Sequence, residues 1–150
     1  MGYFDADLTA LLPQLRAKLV QPWLIFLEGD LGAGKTTWTQ EFVAALGGDA
    51  GEVKSPTFLK LLTHEVPGFG QVLHIDAYRI EDAEDFLKMG MEAYERVGAI
   101  VVEWPEVFTE FLRKYPEYRS LLGLRSGVRI RFGIDPARAS RVESVVWESL

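Results

Sequence analysis

The sequence predicts an α/β fold in which helices cover a mostly parallel sheet that carries antiparallel additions. Three observations lead there. Trp23-Leu-Ile-Phe-Leu27 and Ala99-Ile-Val-Val102 are short apolar runs without alternation, the pattern of strands buried on both faces of a parallel sheet. Gly29-Asp-Leu-Gly-Ala-Gly34 joins the first of these runs to a helical pattern, so a strand, a glycine loop and a helix follow one another directly. Leu8, Leu11, Leu12, Leu15 and Leu19 recur at helical spacing on one face. With 150 residues, 48% hydrophobic and 25% charged, one domain spanning 1–150 with its own core is the expectation.

Each element has its own signal. The leucine face predicts a helix over 8–19 with Asp7 as its N-cap. A strand at 23–27 enters the glycine loop, and Lys35 to Leu46 reads as a helix closed by Gly47-Gly48. Residues 49–57 form a polar loop ending in Ser55-Pro-Thr57. A strand near 58–65, a turn at Pro67-Gly68 and Gly70, and a strand at Val72-Leu-His-Ile75 then read as a hairpin. Ile80 to Arg96 predicts an acidic helix, with Glu84 and Lys88, and Glu92 and Arg96, at the i,i+4 spacing of an exposed face. Ala99–Val102 is a buried strand ending at Glu103. Trp104-Pro105 breaks it, and 106–114 reads as a helix with Pro105 at its first position. Val128, Ile130, Phe132 and Ile134 alternate with Arg129, Arg131 and Gly133, a strand with one wet face. Residues 140–150 fit a helix by the spacing of Val142, Val145 and Val146, and a strand by their β-branching.

Composition excludes several classes. There is no Cys, hence no disulfide, thiolate zinc site or Cys nucleophile. The start, MGYFDADLTALL, lacks a basic stretch followed by an apolar one, position 6 is Ala where Gly2 myristoylation wants Ser or Thr, and no apolar run approaches the roughly 20 residues of a membrane span. A soluble cytoplasmic protein is the expectation. The formal charge of −6 has the wrong sign for a chain that grips nucleic acid by itself. That average hides an asymmetry: residues 113–141 carry eight basic side chains (Arg113, Lys114, Arg119, Arg125, Arg129, Arg131, Arg138, Arg141) against Glu117 and Asp135. A solvated strand face explains Arg129 and Arg131; contact with nucleic-acid phosphates or an acidic partner is the sharper alternative.

Gly29-Asp-Leu-Gly-Ala-Gly34-Lys35-Thr36 is a complete G-x-x-x-x-G-K-[ST] pattern. Such a loop turns successive N–H groups of Asp30, Leu31, Gly32, Ala33 and Gly34 inward around phosphates, at the positive end of the helix that follows. Lys35 would reach the β- and γ-phosphates, Thr36 would ligate Mg²⁺, and Thr37 would add a hydroxyl near the α-phosphate. Nucleoside triphosphate binding follows, and because the chain has no Asn it lacks the Asn-Lys-x-Asp signature of guanine readers, which favours ATP. Magnesium and water need carboxylates, and Asp76 and Glu103 stand at the carboxyl ends of apolar strands, where ligands collect in open α/β sheets. Asp76 fits a strand-end turn residue equally well. His74, inside its strand, reads as a hydrogen-bonded core residue.

Together, LEGDLGAGKTT (27–37), SPTF (55–58), His74-Ile-Asp76-Ala-Tyr78-Arg79, the acidic segment with Met89-Gly90, and Val102-Glu103-Trp104 resemble the TsaE (YjeE) family, small bacterial ATPases required for making threonylcarbamoyladenosine in tRNA. The resemblance covers about 23–105; beyond about 106 little matches, and 113–126 looks like an insertion or a lineage-specific variant. It implies a P-loop NTPase, a three-layer α/β sandwich using ATP and Mg²⁺. Thr57 would be a switch residue sensing the γ-phosphate, Asp76 a Walker-B-type acid near magnesium or water, and Glu103 a magnesium ligand or water-positioning base. Trp104 would pack near the site or a partner. The implied partners are TsaB and TsaD, with TsaD transferring the threonylcarbamoyl group, ATP hydrolysis resetting the complex, tRNA met only through it, and no membrane involved. Two other readings stay open: a small-molecule kinase, for which an arginine-rich lid is thin because only Arg79 and Arg96 lie between Lys35 and Glu103, and a binding module with negligible turnover.

Overall fold

The computed structural model describes residues 3–30, 34–49, 61–134 and 140–150. Its elements are α1 (Tyr3–Lys18), β1 (Trp23–Glu28), α2 (Lys35–Ala45), β2 (Leu61–Val66), β3 (Gly70–Asp76), β4 (Val97–Glu103), α3 (Glu106–Lys114), α4 (Glu117–Leu121), β5 (Ser126–Ile134) and β6 (Ser140–Ser149). The strands form one six-stranded sheet in the order β2-β3-β4-β1-β5-β6. β3, β4, β1 and β5 are mutually parallel, while β2 pairs antiparallel with β3 and β6 antiparallel with β5. The expected mostly parallel sheet with antiparallel additions is what forms.

Two apolar cores lie on its two faces. On one, Trp23, Ile25, Leu27, Val101, Val128 and Ile130 meet Leu8, Leu11, Leu15 and Leu19 from the α1 side and Trp38, Phe42 and Val43 of α2. On the other, Leu24, Phe26, Leu73, Ile75, Ile100 and Val102 meet Phe86, Phe108, Phe111 and Leu112. β1 and β4 contribute alternate residues to both cores, which is why their sequences carry no charge before the glutamate that ends each. Among the described residues no helix is long and apolar enough to cross a membrane.

Three expectations need correction. α1 begins at Tyr3, so Asp7 lies inside the helix and is not its N-cap; the leucine spacing marks the buried face and says nothing about the turn before it. Ile80–Arg96 is not an α-helix. It folds as two 3-10 segments, Ala83–Met89 and Met91–Ala93, separated by Gly90 at φ 63°. Ala83 and Phe86 are both buried at the three-residue spacing a 3-10 helix places on one side, and Phe86 packs edge-on against Phe108. The expected i,i+4 pairs are replaced: Glu84 bonds Lys114 of α3, Arg96 bonds Glu65 of β2 at 2.8 Å, and Lys88 lies 3.7 Å from Asp85.

The ambiguous 140–150 segment is strand β6. A bulge lies where its register shifts, Val142 pairing Phe132 and Ser144 pairing Arg131. The extra residue puts Val142 and Val145, three apart, against the same core, imitating a helical interval. Of the expected strand near 58–65, Leu61 onward belongs to β2, and 58–60 lie outside the described residues.

The α2 side of the core depends on a stacked pair, Trp38 and Phe42, with ring centroids 5.0 Å apart and planes within 11°. Both are fully buried. Phe42→Ala is expected to cost about 3–5 kcal/mol of unfolding free energy, the range for deleting a buried ring, measured as the shift in a urea denaturation midpoint at unchanged slope.

Candidate functional site

Because β1, β3 and β4 run parallel in adjacent positions, their carboxyl ends share one edge of the sheet. Leu27 pairs with Glu103, and Glu103 with Asp76. The ladder continues past the strand ends, with the Trp104 N–H donating to the Leu27 carbonyl at 3.3 Å and the Ala77 N–H to the Glu103 carbonyl at 3.0 Å. β1 leads from this edge through the glycine loop to α2, whose first residue is Lys35 and whose preceding Gly34 holds a left-handed φ of 97°. A side chain there would be strained, so glycine lets the loop turn sharply into the helix.

Lys35 is 5% exposed, and its ammonium group donates to the carbonyls of Gly29 at 2.7 Å and Asp30 at 3.0 Å. It also lies 4.3 Å from the centre of the Trp104 ring, a cation–π contact. Burial pushes the Lys35 amine below its ordinary value; Glu103, Asp76 and Asp30 push the other way. Trp104 adopts φ 59°, unusual for a bulky residue, and its ring meets that of the half-exposed Tyr78 at 4.9 Å.

Glu103 is 4% exposed on the α2 side of the sheet. Its Oε2 accepts from the Thr36 hydroxyl at 3.3 Å and lies 2.6 Å from His74 Nε2. His74 is fully buried on the same face, opposite Val101. Two residues on, Asp76 accepts the Tyr78 N–H at Oδ1, 3.0 Å away. Burial raises the Asp76 carboxyl above the usual range, with Glu103 adding to the rise and the Tyr78 bond opposing it. Behind His74 sits His64 of β2, buried, with ring centroids 6.2 Å apart.

Lys35, Thr36, Asp76 and Glu103 are thus brought together. Asp30 contributes its carbonyl to Lys35, Gly34 closes the loop, and Thr37 is exposed at the start of α2. Leu31, Gly32, Ala33 and Thr57 lie outside the described residues. His74 is the buried, hydrogen-bonded residue expected, and what was missed is that its partner is Glu103. The H-x-D spacing was the available signal, since residues two apart on a strand share a face.

Among the described residues no cluster of three or more His, Asp or Glu side chains forms a metal cage. A hydroxyl and a carboxylate 3.3 Å apart suit Mg²⁺, which takes few protein oxygens and keeps water and phosphate in its other positions. A buried lysine at a helix start, beside a left-handed glycine, suits a phosphate.

Arg129, expected on a solvated face, bonds Glu28 at 3.1 Å and Glu148 at 2.9 Å and covers the Phe26 ring. Arg96 precedes β4 at the end of the sheet opposite Glu103, so Arg79 is the one arginine between Lys35 and Glu103 left near the strand-end edge.

Fold and site define an α/β protein in which a glycine-rich sequence joins a buried parallel strand to a helix whose first residues, Lys35 and Thr36, stand beside strand-end carboxylates. The family model described as Threonylcarbamoyl adenosine biosynthesis protein TsaE matches residues 5–128, and the chain belongs to the TsaE family. Curated proteins named tRNA threonylcarbamoyladenosine biosynthesis protein TsaE are similar to it. That of Rickettsia felis is 33% identical over 105 residues, 69% of this chain and 61% of the relative. That of Bacillus subtilis is 37% identical over 105 residues, 69% of this chain and 65% of the relative. That of Streptomyces coelicolor is 41% identical over 85 residues, 55% of this chain and 57% of the relative. The alignment thus spans about six-tenths of the length of these relatives. The span of the family match runs on past about 106 and takes in α3, α4 and 113–126.

Burial pushes the His64 imidazole below its ordinary value, and the neighbouring His74 adds to that. The unfolded chain therefore takes up this proton first, so the contribution is complete above about pH 6.5 and is lost as pH falls toward the folded value. The urea midpoint is expected to fall between about pH 7 and 5.5, and less steeply in His64→Phe. Parallel declines in the two proteins would assign the effect to other groups.

Proposed function

We propose that this chain is an ATP-hydrolysing accessory protein of tRNA threonylcarbamoyladenosine biosynthesis, a P-loop NTPase of the cytoplasm that works on a complex of TsaB and TsaD and meets tRNA only through it. The observation that carries the reading is the convergence of Lys35, Thr36 and Glu103 at the edge where β1 enters the glycine loop. Membership of the TsaE family supports the pathway.

In this reading the N–H groups of Asp30 through Gly34 and the N-terminus of α2 hold the phosphates of ATP. Lys35 exchanges its bonds to the Gly29 and Asp30 carbonyls for phosphate oxygens, a short reach because the amine already stands over the helix start. Thr36 and Glu103 would hold Mg²⁺, which when bound neutralises charge on the β- and γ-phosphates. Glu103, or Asp76 beside it in the ladder, accepts a hydrogen bond from the attacking water and orients it. Thr57 would sense the γ-phosphate. Phosphoryl transfer to water asks mainly for position and charge, which these residues supply from rigid strand and helix ends.

The test is ATP turnover with and without TsaB and TsaD. Turnover that rises with both proteins is expected; dependence on an added metabolite would make the chain a kinase, and binding without turnover in any mixture would make it a nucleotide-gated binding module. Lys35→Ala is expected to lower turnover by roughly 100-fold or more, the scale of removing one charge-stabilising donor, and to weaken ATP binding. Glu103→Ala should lose hydrolysis far more than ATP binding, read by calorimetry beside the turnover assay.

A further inference from the structure

The Glu103 carboxylate is nearly excluded from water, and a buried carboxylate is costly unless bonded. Among the described residues its Oε2 meets two groups, the Thr36 hydroxyl at 3.3 Å and His74 Nε2 at 2.6 Å. They differ in kind. The Thr36 O–H rotates about a single bond, and an oxygen that ligates a cation turns its lone pair toward it, so this bond to Glu103 is exchangeable. His74 is fixed by its position within β3, between Leu73 and Ile75 of the opposite core, and its ring is completely buried. An ionised carboxylate only accepts, so Nε2 is the ring nitrogen that carries a proton toward Glu103. Among the described residues Nδ1 has no hydrogen-bond partner. The one hydrogen bond of the ring among the described residues is therefore the one to Glu103. His64, whose Nε2 is likewise buried without a partner among the described residues, packs beside the ring and offers it no competing carboxylate.

We propose that His74 is a positioning residue. Its Nε2–H fixes the plane and direction of the Glu103 carboxylate, so that Glu103 stays aimed at the Thr36 hydroxyl and the loop edge when Thr36 turns toward a cation. The proposal rests on the functional reading above, in which Glu103 and Thr36 serve MgATP. Ligands whose remaining contacts are fixed by a neighbouring hydrogen bond lose about 10–100-fold in metal affinity or activity when that neighbour is removed.

The experiment uses the full chain and three variants. His74→Leu removes the donor. His74→Gln restores an N–H near the place of Nε2, whereas His74→Asn places its amide nearer that of Nδ1 and falls short. For each, ATP binding is measured by calorimetry in EDTA and in Mg²⁺, and kcat and KM are measured with TsaB and TsaD present. Independently of activity, the long-range ¹H–¹⁵N spectrum of the wild-type imidazoles is recorded with and without Glu103→Ala.

His74→Leu is expected to leave binding in EDTA within about threefold of wild type, to lower kcat by about 10–100-fold, and to lower the gain in affinity from Mg²⁺ by less than that. Gln should recover most of this and Asn little. The spectrum should give His74 as the Nε2–H form, its proton signal displaced by Glu103→Ala. A folded His74→Leu with wild-type kcat and Mg²⁺ dependence overturns the proposal. So does a loss shared equally by binding in EDTA, or recovery by Asn as good as by Gln, each of which marks a packing role. If the Leu variant fails to fold, the Gln and Asn pair and the spectrum still decide, an Nδ1–H form overturning it. A wild-type chain that binds no ATP overturns the functional reading itself, whereas normal wild-type behaviour with an indifferent His74 overturns this inference alone.

Discussion

A carboxylate buried at the end of a central strand has to be bonded, and the edge of this sheet is organised around meeting that requirement. Glu103 ends β4 in the middle of the sheet, flanked by β3 and β1, where water cannot solvate it. Its stabilisation comes from three directions: an imidazole of β3, a hydroxyl of α2, and the positive charge of Lys35 one residue before that hydroxyl. Remove any of these and the buried charge loses part of its compensation, so the same contacts that make the carboxylate tolerable also fix where it points.

Strand geometry does most of the placing. Side chains alternate between faces along each strand, so His74 and Asp76 on β3 share a face with Val72, and Glu103 on β4 shares one with Val101. That is the face α2 covers. Parallel pairing brings Asp76, Glu103 and Leu27 into one register line, and β1 is the strand that must connect across this edge into α2. A register slip of one residue would turn Glu103 toward the apolar core of Phe86 and Phe108, where nothing described could bond it.

The sheet and the loop were legible in the sequence because their signals are local. Unbroken apolar runs at 23–27 and 99–102 gave buried strands, and the spacing of Gly29, Gly34, Lys35 and Thr36 gave a loop at a helix start. What escaped depends on partners distant in the chain. Ile80–Arg96 has helical charge spacing, yet Phe86 is claimed by Phe108 and Phe111, Glu84 by Lys114 and Arg96 by Glu65, and these contacts override the local preference. β6 was ambiguous because a bulge shifts its alternation. For His74 the H-x-D spacing tells only that it shares a face with Asp76; its partner Glu103 lies 29 residues away on another strand.

The charge asymmetry along the chain also changes meaning once its members are placed. Arg129 and Lys114, two of the eight basic residues of 113–141, are engaged by Glu28 and Glu148, and by Glu84. Arg129 is the more consequential. Glu28 is the last residue of β1 and immediately precedes Gly29, so the guanidinium lying over Phe26 ties the entry of the glycine loop to β5 and, through Glu148, to the edge strand β6. A planar fork with several donors suits such a brace between two carboxylates, and an arginine so held has little left to offer a phosphate backbone. The positive charge of Arg129 therefore belongs to the architecture of the loop, which makes the strand pair β5 and β6 part of the same mechanical unit as the site although no residue of either strand bonds Lys35, Thr36, His74 or Glu103 among the described contacts.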